Sequence, residues 1–279
     1  FDKTGKHKLI SGGRYDKLLK SLGSKDELAA IGFATNNNEI EKIILIMNYN
    51  DELRIALPSK GRLREDMDKL FSKKGIIFKN LTSDRDYIGS IEGIDNVLVY
   101  FLSAKEITNR LEEGSIHIGL TGDDLVQEKI FNYENKVSKE YQLNFGKANL
   151  VVAIPDLWID VMTMADLEEV SNIHRGKYSR RLRVATKYKN LTNQFFSRYG
   201  VVDYRTVESH GSTESAPFNG FSEIIADITS TGETLRANNL RVLDDGLILE
   251  SSANIFKSLT ADWNKSHNES LKSFLSKIA

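Results

Sequence analysis

From residue 53 onward the sequence alternates short apolar, β-type runs with stretches of helical character, and no other feature constrains the fold as strongly. Leu53-Arg54-Ile55-Ala56-Leu57 reads as a strand, followed by a polar turn and a helix over 64–74. Val97-Leu98-Val99-Tyr100-Phe101-Leu102 is a second such run, and the helix over 104–113 that follows it would end at Gly114. Glycine takes the left-handed C-terminal cap without steric penalty. Ile116-His117-Ile118-Gly119-Leu120 gives a third strand, with His117 read as a strand residue, running into a Thr121-Gly122-Asp123 turn and another helix. Further strands are expected at 150–154, 183–186, 201–206 and 224–228. Strands that alternate with helices predict parallel sheets with helices on their faces, an α/β protein. Pro155 is expected to mark a crossing between domains, 165–181 an inserted loop or helical excursion, and the amphipathic stretch 259–279 a closing surface helix.

Composition bounds the chemistry. The chain has 279 residues, 40% hydrophobic and 28% charged, enough for one or two domains with their own cores. With no cysteine it has no disulfide, thiolate nucleophile or Cys-based metal site. A formal charge of −1 gives no reason to expect nucleic acid or a membrane as partner. No run approaches the roughly 18–20 apolar residues of a transmembrane helix, and Phe1-Asp2-Lys3-Thr4-Gly5-Lys6 lacks the apolar core of a secretory signal. These features predict a cytoplasmic enzyme. Met47 opens a segment that reads like a natural start, so the chain reads as two reading frames joined, or the tail of one on the whole of another.

The richest segment is Ile224-Ile225-Ala226-Asp227-Ile228-Thr229-Ser230-Thr231-Gly232-Glu233-Thr234-Leu235. An apolar strand ends at an acidic residue, hydroxyl side chains crowd around Gly232, and a helix begins. Such a turn offers free backbone N–H groups, hydroxyl donors and the positive end of a helix dipole, which together suit a phosphate monoester. Gly232 lets the backbone approach the anion, and the Asp227 carboxylate can accept from two vicinal hydroxyls of a ribose. The plain alternative is an N-capped helix after a strand. No Gly-Lys-Ser/Thr follows a glycine at the spacing of a Walker loop.

Residues 227–240, Asp-Ile-Thr-Ser-Thr-Gly-Glu-Thr-Leu-Arg-Ala-Asn-Asn-Leu, resemble the signature of the ATP phosphoribosyltransferase family. The resemblance continues in Gly211-Ser212-Thr213-Glu214-Ser215-Ala216-Pro217, in Arg183-Val184-Ala185-Thr186-Lys187-Tyr188, in Ile118-Gly119-Leu120-Thr121-Gly122-Asp123-Asp124-Leu125 and in residues 53–63. It implies attack of adenine N1 of ATP on C1 of 5-phosphoribosyl 1-pyrophosphate, with release of pyrophosphate, the first step of L-histidine biosynthesis. It also implies a two-lobed, periplasmic-binding-protein-like (type II) α/β fold with an active-site cleft, in the short form that lacks a C-terminal regulatory domain. The expected lobes are 47–148 plus 245–279, and 149–244.

These substrates bring their own nucleophile and leaving group, so the protein must position two polyanions and balance their charge. Mg²⁺ is expected as cofactor, bridging pyrophosphate oxygens rather than held by protein ligands. Lys60-Gly61-Arg62 follows the first strand at the edge where α/β sheets bind ligands, so it is either an ATP or pyrophosphate contact or a solvated turn. Lys187 sits at a similar strand end. Glu214 pairs with Asp227 as a second carboxylate near the ribose or purine, or is an acid at a helix start. Arg85 matches an arginine of short family members, but Asp84 and Asp86 flank it, so a structural ion pair is equally open. Asp123 would either touch substrate or cap its helix. Substrate contacts are therefore expected at Lys60, Gly61, Arg62, Asp123, Lys187, Glu214, Asp227, Thr229, Ser230, Thr231, Gly232, Glu233 and Thr234, with Lys60, Arg62, Arg85 and Lys187 as electrostatic candidates. Many short members carry an arginine after the second strand; here the sequence is Leu102-Ser103-Ala104-Lys105-Glu106, so Lys105 or another cation would replace it. The five histidines lack metal-ligand spacing.

The N-terminal Ser11-Gly12-Gly13-Arg14-Tyr15-Asp16, followed by Ala30-Ile31-Gly32-Phe33-Ala34, resembles the late core of histidyl-tRNA synthetase and its regulatory paralogue. Residues 1–46 are read as a fragment of such a subunit, and a histidyl-tRNA-synthetase-like regulatory partner is expected in a homodimer or larger hetero-oligomer. The rival readings are a non-catalytic two-lobed small-molecule binding protein and a histidine-sensing regulatory subunit.

Overall fold

A run such as 53–58, nearly all aliphatic, can only be covered on both faces, and it forms the buried strand β3 at the centre of a sheet. The computed structural model describes residues 10–14, 31–35, 52–80, 88–209 and 211–279. Two units are distinguished, Phe1–Glu52 and Leu53–Ala279. In the first, β1 (Ile10–Arg14) pairs antiparallel with β2 (Ile31–Thr35), which places Gly12, Gly13 and Arg14 on a strand. The remainder of the 1–46 fragment lies outside the described residues, as does Arg85.

In the second unit β3 (Leu53–Pro58) leads to α1 (Arg62–Lys73), which begins two positions before the expected residue 64. Gly61 makes that early start possible at φ 81° and puts Arg62 in the first helical turn. β4 (Phe78–Asn80) and β5 (Ile88–Ile91) form an antiparallel edge, followed by β6 (Val97–Leu102). Next comes α2 (Ala104–Glu113), N-capped by the Ser103 side chain and closed by Gly114 at φ 74°. A Cβ at Gly114 would stand 2.6 Å from the Thr260 carbonyl oxygen. β7 (Ile118–Gly122) runs into α3 (Asp123–Lys129) without the expected intervening turn, and His117 lies just before the strand. β8 (Val137–Gln142) completes this stretch.

The chain then enters a second sheet through β9 (Ala148–Pro155), α4 (Met164–Tyr178), β10 (Leu182–Thr186), α5 (Lys189–Arg198), β11 (Tyr204–Glu208) and β12 (Ile224–Thr229). It leaves by α6 (Glu233–Ala237) and β13 (Leu240–Ser251), and ends with β14 (Ala253–Ser258) and α7 (Lys265–Ile278) back against the first sheet. The expected closing helix is α7, with an Asn264–His267 capping box at its start.

Several expectations need correction. Residues 165–181 are no excursion: α4 is fixed by a Thr163–Asp166 capping box and buries Met164 and Leu167 with Val184, Phe196 and Ile224. Pro155 ends a strand, and the sheet crossings fall at 143–147 and at Ser252. The strand expected at 201–206 is Tyr204–Glu208. Neither sheet is purely parallel. The seven-stranded sheet has the order β4-β5-β6-β3-β7-β14-β8 with β14 antiparallel to its neighbours, and the five-stranded sheet, β11-β10-β12-β9-β13, has β9 antiparallel to β12 and β13. Strands that return from the other sheet arrive without a crossover helix, so they are free to pair antiparallel. β13 pairs with β9 as far as Ser251↔Ala148, with register shifts between Val242 and Leu247 and between Leu247 and Leu249, so the five-stranded sheet runs past residue 244.

Candidate active site

The cavity that matters here, about 590 Å³, has walls from both sheets. One wall carries Arg62 and Leu63 of α1, Gly122 at the end of β7, and Asp124 and Leu125 of α3. The other carries Tyr188 and residues 228–231, 233 and 234, the strand end and loop before α6. Both strands reach the cavity at their carboxyl ends, where α/β sheets expose the loops that bind ligands.

The loop after β12 is folded by its own hydroxyls. Thr229 Oγ1 accepts from Gly232 N–H at 3.0 Å and Thr231 Oγ1 from Glu233 N–H at 3.4 Å. Arg236 closes the outer side by donating to the Thr231 carbonyl at 3.1 Å. Gly232 sits at φ 72°, a left-handed conformation that turns the chain into α6. The N–H groups of a first helical turn lack intrahelical partners, so this loop and α6 present donors to an anion. Arg62 reaches across the cavity, its Nη2 donating to Ser230 Oγ at 2.8 Å.

Asp227 stands two residues before Thr229, half-buried on β12. Burial raises its carboxyl above the ordinary aspartate range, opposed by the Ile228 N–H, the Lys187 ammonium and the Thr213 hydroxyl, and reinforced by Glu214. Lys187, Thr213, Glu214 and Asp227 are thus one electrostatic group. Lys187 also donates to the Gly211 carbonyl at 2.9 Å, and Glu214 lies in the short 3₁₀ turn Thr213–Ser215.

The structure therefore brings together Arg62, Thr229, Ser230, Thr231, Glu233 and Thr234 around the cavity, with Gly232 shaping the loop and Asp227, Lys187 and Glu214 beside it. Lys60 is exposed on the turn before Gly61 and does not line the cavity, and Lys105 is exposed in the first turn of α2, also off the cavity. Asp123, open in the sequence between a substrate contact and a helix cap, is not among the residues lining the cavity. Its carboxylate is turned away and occupied by Lys139 at 2.7 Å, Asn254 Nδ2 at 2.7 Å and the Ser252 N–H and hydroxyl. Its neighbour Asp124 lines the cavity instead, accepting from Tyr188 Oη at 2.9 Å and Ser251 Oγ at 2.7 Å. Sequence reading missed Asp124 and Tyr188. A Cβ at Gly122 would collide with Asp124 Oδ1, a close approach that exists only in the folded chain and that the sequence does not display.

The family model described as HisG: ATP phosphoribosyltransferase matches residues 103–279. An ATP phosphoribosyltransferase of Rhodopseudomonas palustris (strain BisB18) is 51% identical over 225 residues, covering 81% of this chain and 69% of its own length. The chain belongs to the ATP phosphoribosyltransferase family. The enzyme of that name from Afipia carboxidovorans is 50% identical over 225 residues, with the same coverage of 81% and 69%. Among solved structures, a chain of the ATP phosphoribosyl transferase (HisG:HisZ) complex from Thermotoga maritima superposes with a TM-score of 0.61 at 26% identity, covering 81% of this chain and 96% of that one. As an ATP phosphoribosyltransferase family member the chain is a glycosyltransferase-type enzyme of the first step of histidine biosynthesis. Its α/β architecture with two sheets accords with the expected fold class. Among the described residues no helix is long and apolar enough to cross a membrane.

Proposed function

We propose that the cavity between residues 228–234 and Arg62 holds 5-phosphoribosyl 1-pyrophosphate, and that this chain transfers its phosphoribosyl group to N1 of ATP. The observation that carries this reading is the loop after β12, where hydroxyls fold the backbone around Gly232 and Arg62 meets Ser230 from the opposite wall. In this reading the 5-phosphate rests on the loop N–H groups and the hydroxyls of Thr229, Ser230, Thr231 and Thr234. Asp227 accepts from the ribose hydroxyls, with Glu214 as the second carboxylate. Arg62, Lys187 and, from the turn, Lys60 balance substrate charge. Adenine N1 forms the new bond to C1 as the C1–oxygen bond breaks, and pyrophosphate departs with the bonding electron pair. The protein supplies position and electrostatics.

Mg²⁺ is proposed as cofactor, carried on pyrophosphate oxygens. The cavity suits a metal that arrives with its substrate: of its two carboxylates, Asp124 already accepts hydroxyl bonds on both oxygens and Glu233 is exposed. When bound, the ion would neutralise charge on the leaving pyrophosphate. The proposed lobes follow the sheets, one built on 53–142 with 253–258 and the other on 148–251. A histidyl-tRNA-synthetase-like partner in a hetero-oligomer is also proposed. The resemblance of residues 11–16 supports it, as does the solution of the Thermotoga maritima relative as a HisG:HisZ complex. A cytoplasmic location follows from the biosynthetic role.

The test is to mix the purified chain with ATP, 5-phosphoribosyl 1-pyrophosphate and Mg²⁺ and follow the ultraviolet signal of an N1-substituted adenine, with and without the synthetase-like partner. Product formation is expected; silence under both conditions would sink the reading.

A further inference from the structure

A buried polar contact joins the two sheets between the walls of the cavity, with Asp124 on the wall that carries Arg62 and Tyr188 on the wall that carries Ser230. Asp124 belongs to α3, which follows β7 of the seven-stranded sheet, and both of its oxygens are held by the five-stranded half. Tyr188, between β10 and α5, donates to Oδ2 at 2.9 Å, and Ser251, at the end of β13, donates to Oδ1 at 2.7 Å. One helical turn further along α3, on the same face, Glu128 repeats the grip. Its carboxylate accepts from Asn190 N–H at 3.1 Å and Leu191 N–H at 3.0 Å, the free donors of the first turn of α5, while Asn190 Nδ2 returns a bond to the Glu128 carbonyl at 2.9 Å. Asp124, Glu128 and Tyr188 are all buried, where each hydrogen bond to a charged group is costly to leave unmade.

We propose that the Asp124–Tyr188 contact, backed by Glu128, is the latch that sets the spacing between the two walls of the donor cavity, making Tyr188 a positioning residue for phosphoribosyl transfer. This inference rests on the donor-site reading above and adds the element that holds that site at working width. Tyr188 and Asp124 line the cavity together, and the walls they join carry Arg62 on one side and residues 228–231 on the other. A donor that touches both walls loses affinity when their separation is no longer fixed, because misplacing contacts by even an ångström is expensive. A second tyrosine supplies an internal comparison. Tyr204 Oη donates to the neutral amide oxygen Asn193 Oδ1 of α5 at 2.9 Å, a tyrosine hydroxyl bond that stays within the five-stranded half.

The experiment measures calorimetric binding of 5-phosphoribosyl 1-pyrophosphate with Mg²⁺, together with Tm, for the full chain and for Tyr188→Phe, Ser251→Ala and Tyr204→Phe. Tyr188→Phe is expected to weaken donor binding about tenfold, the effect of losing one hydrogen bond to a charged group. Ser251→Ala is expected to weaken it in the same direction, and carries the test should Tyr188→Phe not fold. Tyr204→Phe is expected to lower Tm while leaving donor affinity within about twofold of the wild type, less than the effect of one charged hydrogen bond. Donor affinity unchanged in both Tyr188→Phe and Ser251→Ala, or weakened as much in Tyr204→Phe, overturns the latch while leaving the donor site standing. A wild-type chain that does not bind the donor overturns the site reading itself, and the latch with it.

Discussion

Arg62 and Ser230 are separated by most of the main unit in sequence, yet the guanidinium of the first donates to the hydroxyl of the second at 2.8 Å across the cavity. The early start of α1 at Gly61 makes this possible, since a helix beginning at residue 64 would leave Arg62 on a solvated turn. Both residues are exposed, so the bond itself adds little stability. Its value lies in holding a cation where phosphate oxygens are expected.

Replacing Arg62 by Ala is therefore expected to leave the fold intact and weaken the donor. Steady-state kinetics should show KM for 5-phosphoribosyl 1-pyrophosphate raised about tenfold or more, the loss of one charge-assisted contact. Tm should change little. An unchanged KM would remove Arg62 from the site.

Gly232→Ala addresses the shape of the loop. The position has φ 72°, which costs a residue with a Cβ about 1 kcal/mol. The Cβ would also stand 2.9 Å from Arg236 Nη1, the end of a flexible side chain that can move aside. The expected result is a small drop in Tm with a larger loss of donor affinity, because the strain falls on the turn that aims the N–H groups. Equal donor affinity in the variant would mean that this turn does not touch the donor.

His117 gives a prediction far from the cavity. Its Nδ1 accepts from Arg54 N–H at 2.9 Å and its Nε2 lies 3.1 Å from the Asp262 carbonyl, so the ring is held neutral. Burial first, then His267 and Arg54, lower its pKa from 6.5 to about 4. The unfolded chain takes up this proton at higher pH than the folded one, so stability is full above about pH 6.5 and is lost as pH falls towards 4. The loss amounts to about 3 kcal/mol. Urea unfolding at neutral pH and near pH 4.5 should show the drop, and His117→Gln should reduce its size. A variant with the wild-type pH slope would contradict the assignment.

Legibility in the sequence followed local physics. β6, α2 with its Gly114 cap and the turn around Gly232 were readable because apolar runs, a Ser cap and glycines at positive φ act over a few residues. β8 was not, because its exposed positions carry polar residues, nor was β13, whose apolar residues are interrupted by Asp244-Asp245-Gly246; the partners of both are distant in sequence. The choice between Asp123 and Asp124 was beyond local reading as well. Adjacent residues on a helix point about 100° apart, and only tertiary packing decides that one faces Lys139 and Asn254 while the other faces Tyr188. Helix α4 hid behind a polar composition of mixed charge, although its Thr163–Asp166 capping box was there to be read.

If the strand end and loop at 227–234 hold the phosphoribosyl donor, equilibrium binding of 5-phosphoribosyl 1-pyrophosphate must differ between the wild type and Asp227→Ala. Binding by the wild type is expected to weaken on acidification, as the raised Asp227 carboxyl takes up its proton. Asp227→Ala is expected to lose binding while keeping its fold by circular dichroism. Wild-type affinity retained by folded Asp227→Ala would contradict that placement of the donor.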